Sequence, residues 1–199
     1  MVFFPGQHGA TATYSLANYT TAGLAVFAMA YPGQDGASGR TELSEIEGLV
    51  DHAVATVANT CSPDRTVFIG VSLGAMLAAY ASHSTKPAGV VLLSAAPSLS
   101  SAIRIRLRTH WALAPLSLLP LPTLLPHDYS LAESLGQPPG PQIVILQGTH
   151  DDQTPMGLLE SPGIRLAGVR VIAVPGGTHS TTFVLSQKAQ LSTILNMLL

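Results

Sequence analysis

Short apolar runs alternate along this chain with longer stretches in which apolar residues recur every three or four positions. The runs are bounded by Gly, Pro or polar residues, which is typical of buried strands in a parallel sheet. The pattern predicts an α/β fold in a single domain, residues 1–199, with a mostly parallel sheet of about six strands and helices on both faces. The predicted strands are Val2–Phe4, Leu24–Tyr31, Thr66–Val71, Gly89–Ser94, Gln142–Gln147 and Arg170–Val174.

The stretches between these runs predict amphipathic helices. In Glu42–Asn59 the apolar side chains fall at three- and four-residue steps, and Thr41 precedes them as a candidate N-cap. Gly74–Ser82 and Thr181–Leu199 have the same helical periodicity. Each helix therefore connects or follows strands, as the parallel arrangement requires.

The segment between the fourth and fifth predicted strands, residues 99–141, has no regular periodicity and is predicted to be a short cap or lid inserted in the domain. Its apolar part, Trp111 to Pro126, is interrupted by prolines and is shorter than the roughly 20 residues that span a bilayer. We therefore expect no transmembrane helix here. Arginines at 104, 106 and 108 precede the apolar part, so the cap consists of a basic stretch followed by an apolar one.

Composition narrows the classes of function. Of the 199 residues 47% are hydrophobic, enough for one sizeable core, and the net charge of −2 argues against nucleic acids and other polyanionic partners. The single cysteine, Cys61, provides neither an internal disulfide nor a cysteine-based zinc site. The first residues lack the features of a secretory signal, so we expect a cytoplasmic protein.

The pentapeptide Gly70-Val71-Ser72-Leu73-Gly74 follows an apolar run and precedes a helical stretch. A serine on such a strand-to-helix turn projects its hydroxyl above the sheet, and the glycines remove side chains that would clash there. The Leu73 amide, at the start of the helix, would then face a developing oxyanion. The alternative is a glycine-rich turn with a structural role only.

Two later loops contain the partners that a nucleophilic serine needs. Asp151 follows the fifth predicted strand and His179 follows the sixth. The carboxyl ends of parallel strands lie on one edge of the sheet, so Ser72, Asp151 and His179 are predicted to converge there. A histidine would take the serine proton, and a carboxylate would orient that histidine. The remaining histidines have no metal-ligand spacing, so no metal site and no organic cofactor are expected.

These motifs resemble those of the α/β-hydrolase superfamily, and Gly70–Gly74 resembles its nucleophile elbow. The segment from Gly148 to Pro155 resembles its acid loop, in which the aspartate follows the glycine by three residues; this favours Asp151, with Asp152 as the alternative. Residues 126–135 resemble small, short-capped members similar to lysophospholipases and serine aminopeptidases. The first predicted strand begins at Val2, so the resemblance implies that the usual first two strands are lacking.

In that superfamily the loop after the first predicted strand of this chain supplies a second oxyanion amide. Two registers fit: with Pro5-Gly6 at the family's His-Gly position the donor is Gln7, and with His8-Gly9 it is Ala10. Gln7 is preferred because it leaves no extra residues between strand and loop.

The resemblance implies a hydrolase of small acyl substrates, a carboxylic ester first. An acyl thioesterase with the same triad and a non-catalytic binding protein on this fold are the alternatives. In the cap, Trp111, Leu116 and Leu119 are candidates for an acyl-binding pocket, with the arginines meeting an anionic head group; the other interpretation is a solvated helix face and leucines that cover the sheet. The sequence leaves the physiological substrate and the oligomeric state open.

Overall fold

One parallel sheet organises the chain. The structure, a computed structural model, describes residues 1–7, 14–135, 140–160 and 168–199. Over these residues six strands pair in the order β2-β1-β3-β4-β5-β6, and every pair is parallel. The strands are β1 (Val2–Phe4), β2 (Phe27–Ala28), β3 (Val67–Val71), β4 (Gly89–Leu93), β5 (Gln142–Gly148) and β6 (Arg170–Val174).

Helices follow the strands along the chain. Within the described ranges, no helix is both long and apolar enough to cross a membrane. Three 3-10 helices span Pro63–Arg65, Ala114–Leu118 and Met156–Glu160. The α-helices are α1 (Ala17–Thr21), α2 (Ile46–Ala58), α3 (Leu73–Thr85), α4 (Leu99–Arg108), α5 (Leu121–Leu124), α6 (Leu131–Ser134), α7 (Thr182–Leu185) and α8 (Gln187–Met197).

Both faces of the central strands β1, β3, β4 and β5 are buried, and successive residues of a strand point to opposite faces. Phe4 packs in the core formed with α2 and α3, whereas its neighbour Phe3 packs in the core formed with α1 and α8. The near-continuous apolar runs of β3, β4 and β5 follow from this double burial. The predicted α/β class, the parallel sheet and the helices on both faces are confirmed.

The second strand is far shorter than the predicted Leu24–Tyr31. Only Phe27 and Ala28 pair with a neighbour, at Val2 and Phe3 of β1. Because β2 lies at the sheet edge it pairs with β1 alone, and the ladder joins only the first two of the three residues of β1. Tyr31 is buried without a strand partner and donates its hydroxyl to the carbonyl of Pro5 at 2.8 Å. Tyr31 therefore belongs to the core and not to a strand.

Two helix boundaries also differ from prediction. Thr41 does not cap α2, which begins at Ile46, because the Thr41 hydroxyl donates to the carbonyl of Pro32 at 3.0 Å. The predicted helix Thr181–Leu199 is divided at Ser186 into α7 and α8. The buried side chain of Gln190 bridges this break, donating to the Phe183 carbonyl at 2.6 Å and to Ser186 Oγ at 2.8 Å. It thereby satisfies groups that the interrupted helix exposes.

The cap segment is more regular than its sequence suggested, since residues 99–108 form α4. Ser98 caps this helix by accepting a hydrogen bond from the Ser101 amide at 3.2 Å, a contact typically worth about 1 kcal/mol. Asp128, beyond the apolar run, accepts from the amide of Ser100 at 2.6 Å and from its hydroxyl at 2.8 Å. The two ends of the cap are therefore joined beside the sheet.

Candidate active site

Ser72 occupies the tight turn between β3 and α3. Its backbone has φ 55° and ψ −116°, a conformation that is strained for a residue with a side chain. The flanking glycines make this turn possible: a β-carbon on Gly70 would lie 2.1 Å from the Gly74 carbonyl oxygen, and one on Gly74 would lie 2.1 Å from the Phe4 carbonyl oxygen. The two glycines of the Gly-x-Ser-x-Gly pattern are thus required because the backbones of β3, α3 and β1 approach each other closely here.

His179 lies in the loop after β6 and faces the serine. Its Nε2 is 2.9 Å from Ser72 Oγ. The loop is held against the acid loop, because the His150 amide donates to the Gly177 carbonyl at 2.8 Å. Gly148 is needed at this contact, since a β-carbon there would lie 2.3 Å from the same carbonyl oxygen. The imidazole is therefore fixed by packing between two loops at the carboxyl edge of the sheet.

Asp151 is buried on the other side of the imidazole. Its Oδ2 and Oδ1 lie 3.0 and 3.1 Å from His179 Nδ1. The carboxylate also accepts from the Thr154 amide at 2.8 Å, the Thr154 hydroxyl at 2.8 Å and the Gln153 amide at 3.1 Å. Burial acts to raise the pKa of Asp151, but hydrogen bonds from His179 and Thr154 outweigh it and hold the pKa below 3.8.

Asp152, the alternative acid, is exposed to solvent. The described contacts of His179 Nδ1 are with Asp151 and, at 3.3 Å, with Thr154 Oγ1. The structure therefore brings Asp151, and not its neighbour, together with the imidazole and Ser72.

Two buried polar residues behind Asp151 were missed by sequence reasoning. Gln147, on β5, has no solvent exposure; its Oε1 accepts from the Ala95 amide at 3.0 Å, and its Nε2 donates to the Thr154 carbonyl and to Thr154 Oγ1. The Thr154 hydroxyl in turn donates a hydrogen bond to Asp151 Oδ2 at 2.8 Å. A glutamine at the end of a buried strand, directly after the apolar run Val144-Ile145-Leu146, was the signal that could have identified this support.

The first loop lies against the nucleophile turn. A β-carbon on Gly6 would be 3.5 Å from the Val71 carbonyl oxygen and 3.7 Å from Ser72 Cβ. The Gly6 amide donates to the hydroxyl of Tyr14 at 3.1 Å, a contact that the sequence did not indicate. Gln7 follows in an exposed turn, and its carbonyl accepts from Gln34 Nε2 at 2.6 Å.

The two candidate oxyanion donors of that loop are the backbone amides of Gln7 and Ala10. Gln7 is adjacent to Gly6 and so stands close to the nucleophile turn, whereas Ala10 lies outside the described residues. The third candidate donor, the Leu73 amide, opens α3 and has no carbonyl one turn earlier in the helix to accept its hydrogen.

The cap residues proposed for an acyl pocket are open to solvent. Trp111 is 91% exposed, and Leu116 and Leu119 are also exposed. Arg104 does not present a free guanidinium to an anion, because its Nε donates to the Ser117 carbonyl at 3.1 Å and its Nη2 to the Leu119 carbonyl at 3.4 Å. None of the three candidate pocket residues is enclosed in this arrangement.

Comparison with known proteins agrees with this architecture. A family model described as the alpha/beta hydrolase family matches residues 1–142. No sequence among the curated proteins matches the chain.

Solved structures are similar over nearly the whole chain at low sequence identity. An alpha-beta hydrolase from Vibrio vulnificus has a TM-score of 0.75 at 17% identity, covering 98% of this chain and 72% of that one. A Pyrococcus furiosus esterase has a TM-score of 0.72 at 14% identity, covering 99% and 80%. A Paleococcus ferrophilus monoacylglycerol lipase has a TM-score of 0.65 at 16% identity, covering 98% and 93%.

Proposed function

The chain belongs to the α/β-hydrolase family of enzymes, and from this premise we propose that it is a serine hydrolase that cleaves a carboxylic ester through an acyl-enzyme on Ser72. His179 is the general base and Asp151 the orienting acid. One observation carries the proposal: a continuous hydrogen-bonded line from Ser72 Oγ to His179 Nε2 at 2.9 Å and from His179 Nδ1 to Asp151 Oδ2 at 3.0 Å.

In the first half-reaction His179 Nε2 takes the Ser72 proton as Oγ attacks the carbonyl carbon of the ester. The carbonyl π electrons move to oxygen and form a tetrahedral oxyanion. As this collapses, the bond to the alkoxy oxygen breaks, and His179 gives the proton to the departing alcohol. Asp151 supports the transient imidazolium, since its lowered pKa keeps the carboxylate charged at neutral pH.

In the second half-reaction water takes the place of the alcohol. His179 removes a proton from the water as its oxygen attacks the acyl carbon, and a second tetrahedral oxyanion forms. Collapse breaks the bond to Ser72 Oγ, which receives the proton back from His179. The carboxylic acid leaves and the enzyme is restored.

The oxyanion is expected to accept hydrogen bonds from the amides of Leu73 and Gln7. Leu73 starts a 13-residue helix whose N-terminus favours negative charge. Gln7 is held by its carbonyl contact with Gln34 and by the neighbouring Gly6–Tyr14 hydrogen bond. These contacts support a Gly6–Gln7 segment that is held in place before substrate binds.

An ester is favoured over an amide because an alcohol is the better leaving group, and over other acyl derivatives because two of the similar structures are named as an esterase and a monoacylglycerol lipase. Residues 99–141 would then be the cap of a single catalytic domain, residues 1–199. The engagement of Arg104 with cap carbonyls leaves Arg106 and Arg108 as the exposed cap arginines with which a thioesterase could bind a phosphorylated carrier.

Fluorophosphonate labelling tests the nucleophile directly. The wild-type protein should label and hydrolyse p-nitrophenyl esters, whereas Ser72→Ala should stay folded, lose labelling and lose turnover by about 10⁴-fold or more. Ser84→Ala is the matched control, since Ser84 is exposed near the far end of the same helix and should leave both activities unchanged.

A substrate panel separates the remaining functions. Esters of increasing acyl length and the matching thioesters are compared by initial rate. Faster turnover of thioesters would favour the thioesterase. A folded wild-type protein that neither labels nor cleaves any member of the panel would overturn the hydrolase proposal and favour a binding protein.

A further inference from the structure

The cap exposes an unusual concentration of apolar side chains. Of the twelve large hydrophobic residues that are exposed among the described residues, six lie within residues 111–124. Trp111 is 91% exposed and Leu118 is 82% exposed. Apolar groups gathered in this way mark interaction sites, whereas singly scattered ones do not. We call this set the apolar cap surface; it consists of Trp111, Leu113, Leu116, Leu118, Leu119 and Leu124.

This exposure belongs to a formed structure. Residues 114–118 form a 3-10 helix in which the buried Ser117 donates its hydroxyl to the Ala114 carbonyl at 2.7 Å. Arg104 ties α4 to the same turn through the carbonyls of Ser117 and Leu119. Leu121 is buried and anchors the following helix. The apolar cap surface is thus held in place before any partner arrives, which lowers the ordering cost of binding.

Along the chain, the charged residues within and immediately before the apolar cap surface are of one sign. Residues 65–127 contain none of the chain's eleven Asp and Glu, and α4 brings three arginines immediately before Trp111. Arg106 and Arg108 are exposed and have no ion-pair partner among the residues that the structure describes. The net charge of −2 for the whole chain therefore conceals a local basic region next to an apolar one.

We propose that the apolar cap surface docks on an anionic lipid bilayer. Tryptophan is favoured at the level of the lipid head groups, and leucines enter the acyl boundary beneath it. Arg106 and Arg108 would contact lipid phosphates, because basic residues beside an inserted apolar face bind anionic membranes electrostatically. The surface lies on the membrane and does not span it.

A second copy of the chain is a poorer occupant of this surface. In a two-fold contact the same patch faces itself. Arg106 and Arg108 would then approach the same arginines of the other copy. The carboxylates of the cap are Asp128, which is engaged by Ser100, and Glu133 on α6, which lies outside the apolar cap surface. An anionic lipid surface provides the missing charge on its own.

Trp111 provides the test, because it is the only tryptophan in the chain. The experiment uses the full chain with Ser72→Ala, so that lipid hydrolysis cannot alter the vesicles and the result does not depend on the proposed catalytic function. Vesicles of phosphatidylcholine mixed with phosphatidylglycerol should shift the Trp111 emission to the blue, and brominated acyl chains should quench it. Vesicles of phosphatidylcholine alone should bind more weakly.

Two variants that retain Trp111 locate the contact. Leu118→Ser/Leu124→Ser removes two exposed leucines and should weaken vesicle binding about tenfold or more. Arg106→Gln/Arg108→Gln should weaken binding to the anionic vesicles by a similar factor and abolish their advantage over neutral ones. Leu195→Ser/Leu199→Ser is the matched control: Leu195 lies on α8, which packs on the opposite face of the sheet from α2 and α3, and Leu199 follows that helix; both are exposed.

Three results would overturn the proposal. The first is an unchanged Trp111 emission when vesicles are added to folded protein. The second is equal binding by Leu118→Ser/Leu124→Ser and by the α8 control. The third is a dimer in sedimentation velocity that Leu118→Ser/Leu124→Ser dissociates, without any vesicle response; it would assign the surface to a second copy of the chain.

Discussion

Gly74 and Phe4 are in direct backbone contact: a β-carbon on Gly74 would stand 2.1 Å from the Phe4 carbonyl oxygen. Gly74 lies in the first turn of α3, and Phe4 ends β1 just before the first loop. The contact therefore fixes the distance between the nucleophile turn and the loop that is proposed to complete the oxyanion site. Neither partner can move aside cheaply, because both are backbone.

We expect Gly74→Ala to disrupt this arrangement. The new methyl group would overlap a backbone carbonyl, so α3 or β1 must shift, at a cost of about 3 kcal/mol or more in the free energy of unfolding. Labelling of Ser72 by a fluorophosphonate should fall with it. Urea denaturation and labelling rates measure the two effects.

Gly48→Ala is the matched control, since Gly48 is also a helical glycine but has nothing within 4 Å of its β-carbon position. It should raise the stability by about 0.5–1 kcal/mol, because alanine is the better helix former, and leave labelling unchanged. Equal effects of the two substitutions would contradict the close contact at Gly74.

The two adjacent aspartates provide a second contrast. Asp151→Asn removes the charge that supports the His179 imidazolium and should lower kcat on an ester substrate by about 10³–10⁴-fold. Asp152→Asn removes an exposed carboxylate one residue away and should change kcat by less than about twofold. Steady-state kinetics on both variants show which aspartate orients His179. A larger loss of kcat in the Asp152 variant would assign that role to Asp152.

Five of the six strands were the most predictable part of the fold: β1, β3, β4 and β5 are buried on both faces, and β6 is a largely exposed edge strand. Val2–Phe4 and Arg170–Val174 match the observed bounds, and β3, β4 and β5 differ by one residue at an end. Burial on both faces demands a continuous apolar run, and a run of that kind is visible in sequence. Leu24–Tyr31 is also apolar, but only Phe27 and Ala28 join the ladder, and Met29 and Tyr31 are buried outside it; periodicity does not distinguish such a segment from a strand.

The candidate site was predictable where local geometry restricts the residue type. The turn at Ser72 requires glycines on both sides, and Asp151 and His179 each follow a strand. The positions of all three residues can therefore be predicted from the sequence pattern. The supporting contacts depend on distant residues: Gln147 reaches Ala95, and the Gly6 amide reaches Tyr14. No local pattern encodes such contacts, because they arise only when the sheet brings the segments together.

The support from Gln147 leads to a third prediction. Gln147→Met leaves the Ala95 amide and the Thr154 carbonyl without their partners inside the protein, which should cost about 2–4 kcal/mol. Because Thr154 and Asp151 are then less well fixed, kcat should fall by about tenfold or more. Thermal unfolding and steady-state kinetics measure both effects.

Gln190→Met is the control for this prediction. Gln190 is equally buried, but it bonds to Tyr19, Phe183 and Ser186 in the core on the α8 side of the sheet. Its replacement should destabilise the protein to a similar degree while kcat at a permissive temperature stays within about twofold of the wild type. If both variants lose kcat equally, Gln147 has a general structural role and no special part in holding Asp151.

The lowered pKa of Asp151 predicts how stability responds to acid. Between the folded-state pKa and the ordinary value of 3.8, the unfolded chain binds a proton that the folded protein does not. Stability therefore falls as the pH falls through this interval, and the contribution of Asp151 is fully present only above 3.8. Asp151→Asn lacks this proton-binding site, so the wild type should be more stable than the variant near neutral pH, with the difference shrinking on acidification.

Urea denaturation of both proteins at a series of pH values measures that difference. Gly48→Ala changes no titratable group, so its difference from the wild type should stay constant over the same series. A gap between wild type and Asp151→Asn that stays constant or widens as the pH falls would mean that the hydrogen bonds from His179 and Thr154 do not outweigh burial at this carboxylate. Asp151 would then be a weaker support for the imidazolium than its geometry indicates, because a carboxyl group with a raised pKa carries less of the negative charge that the reaction requires.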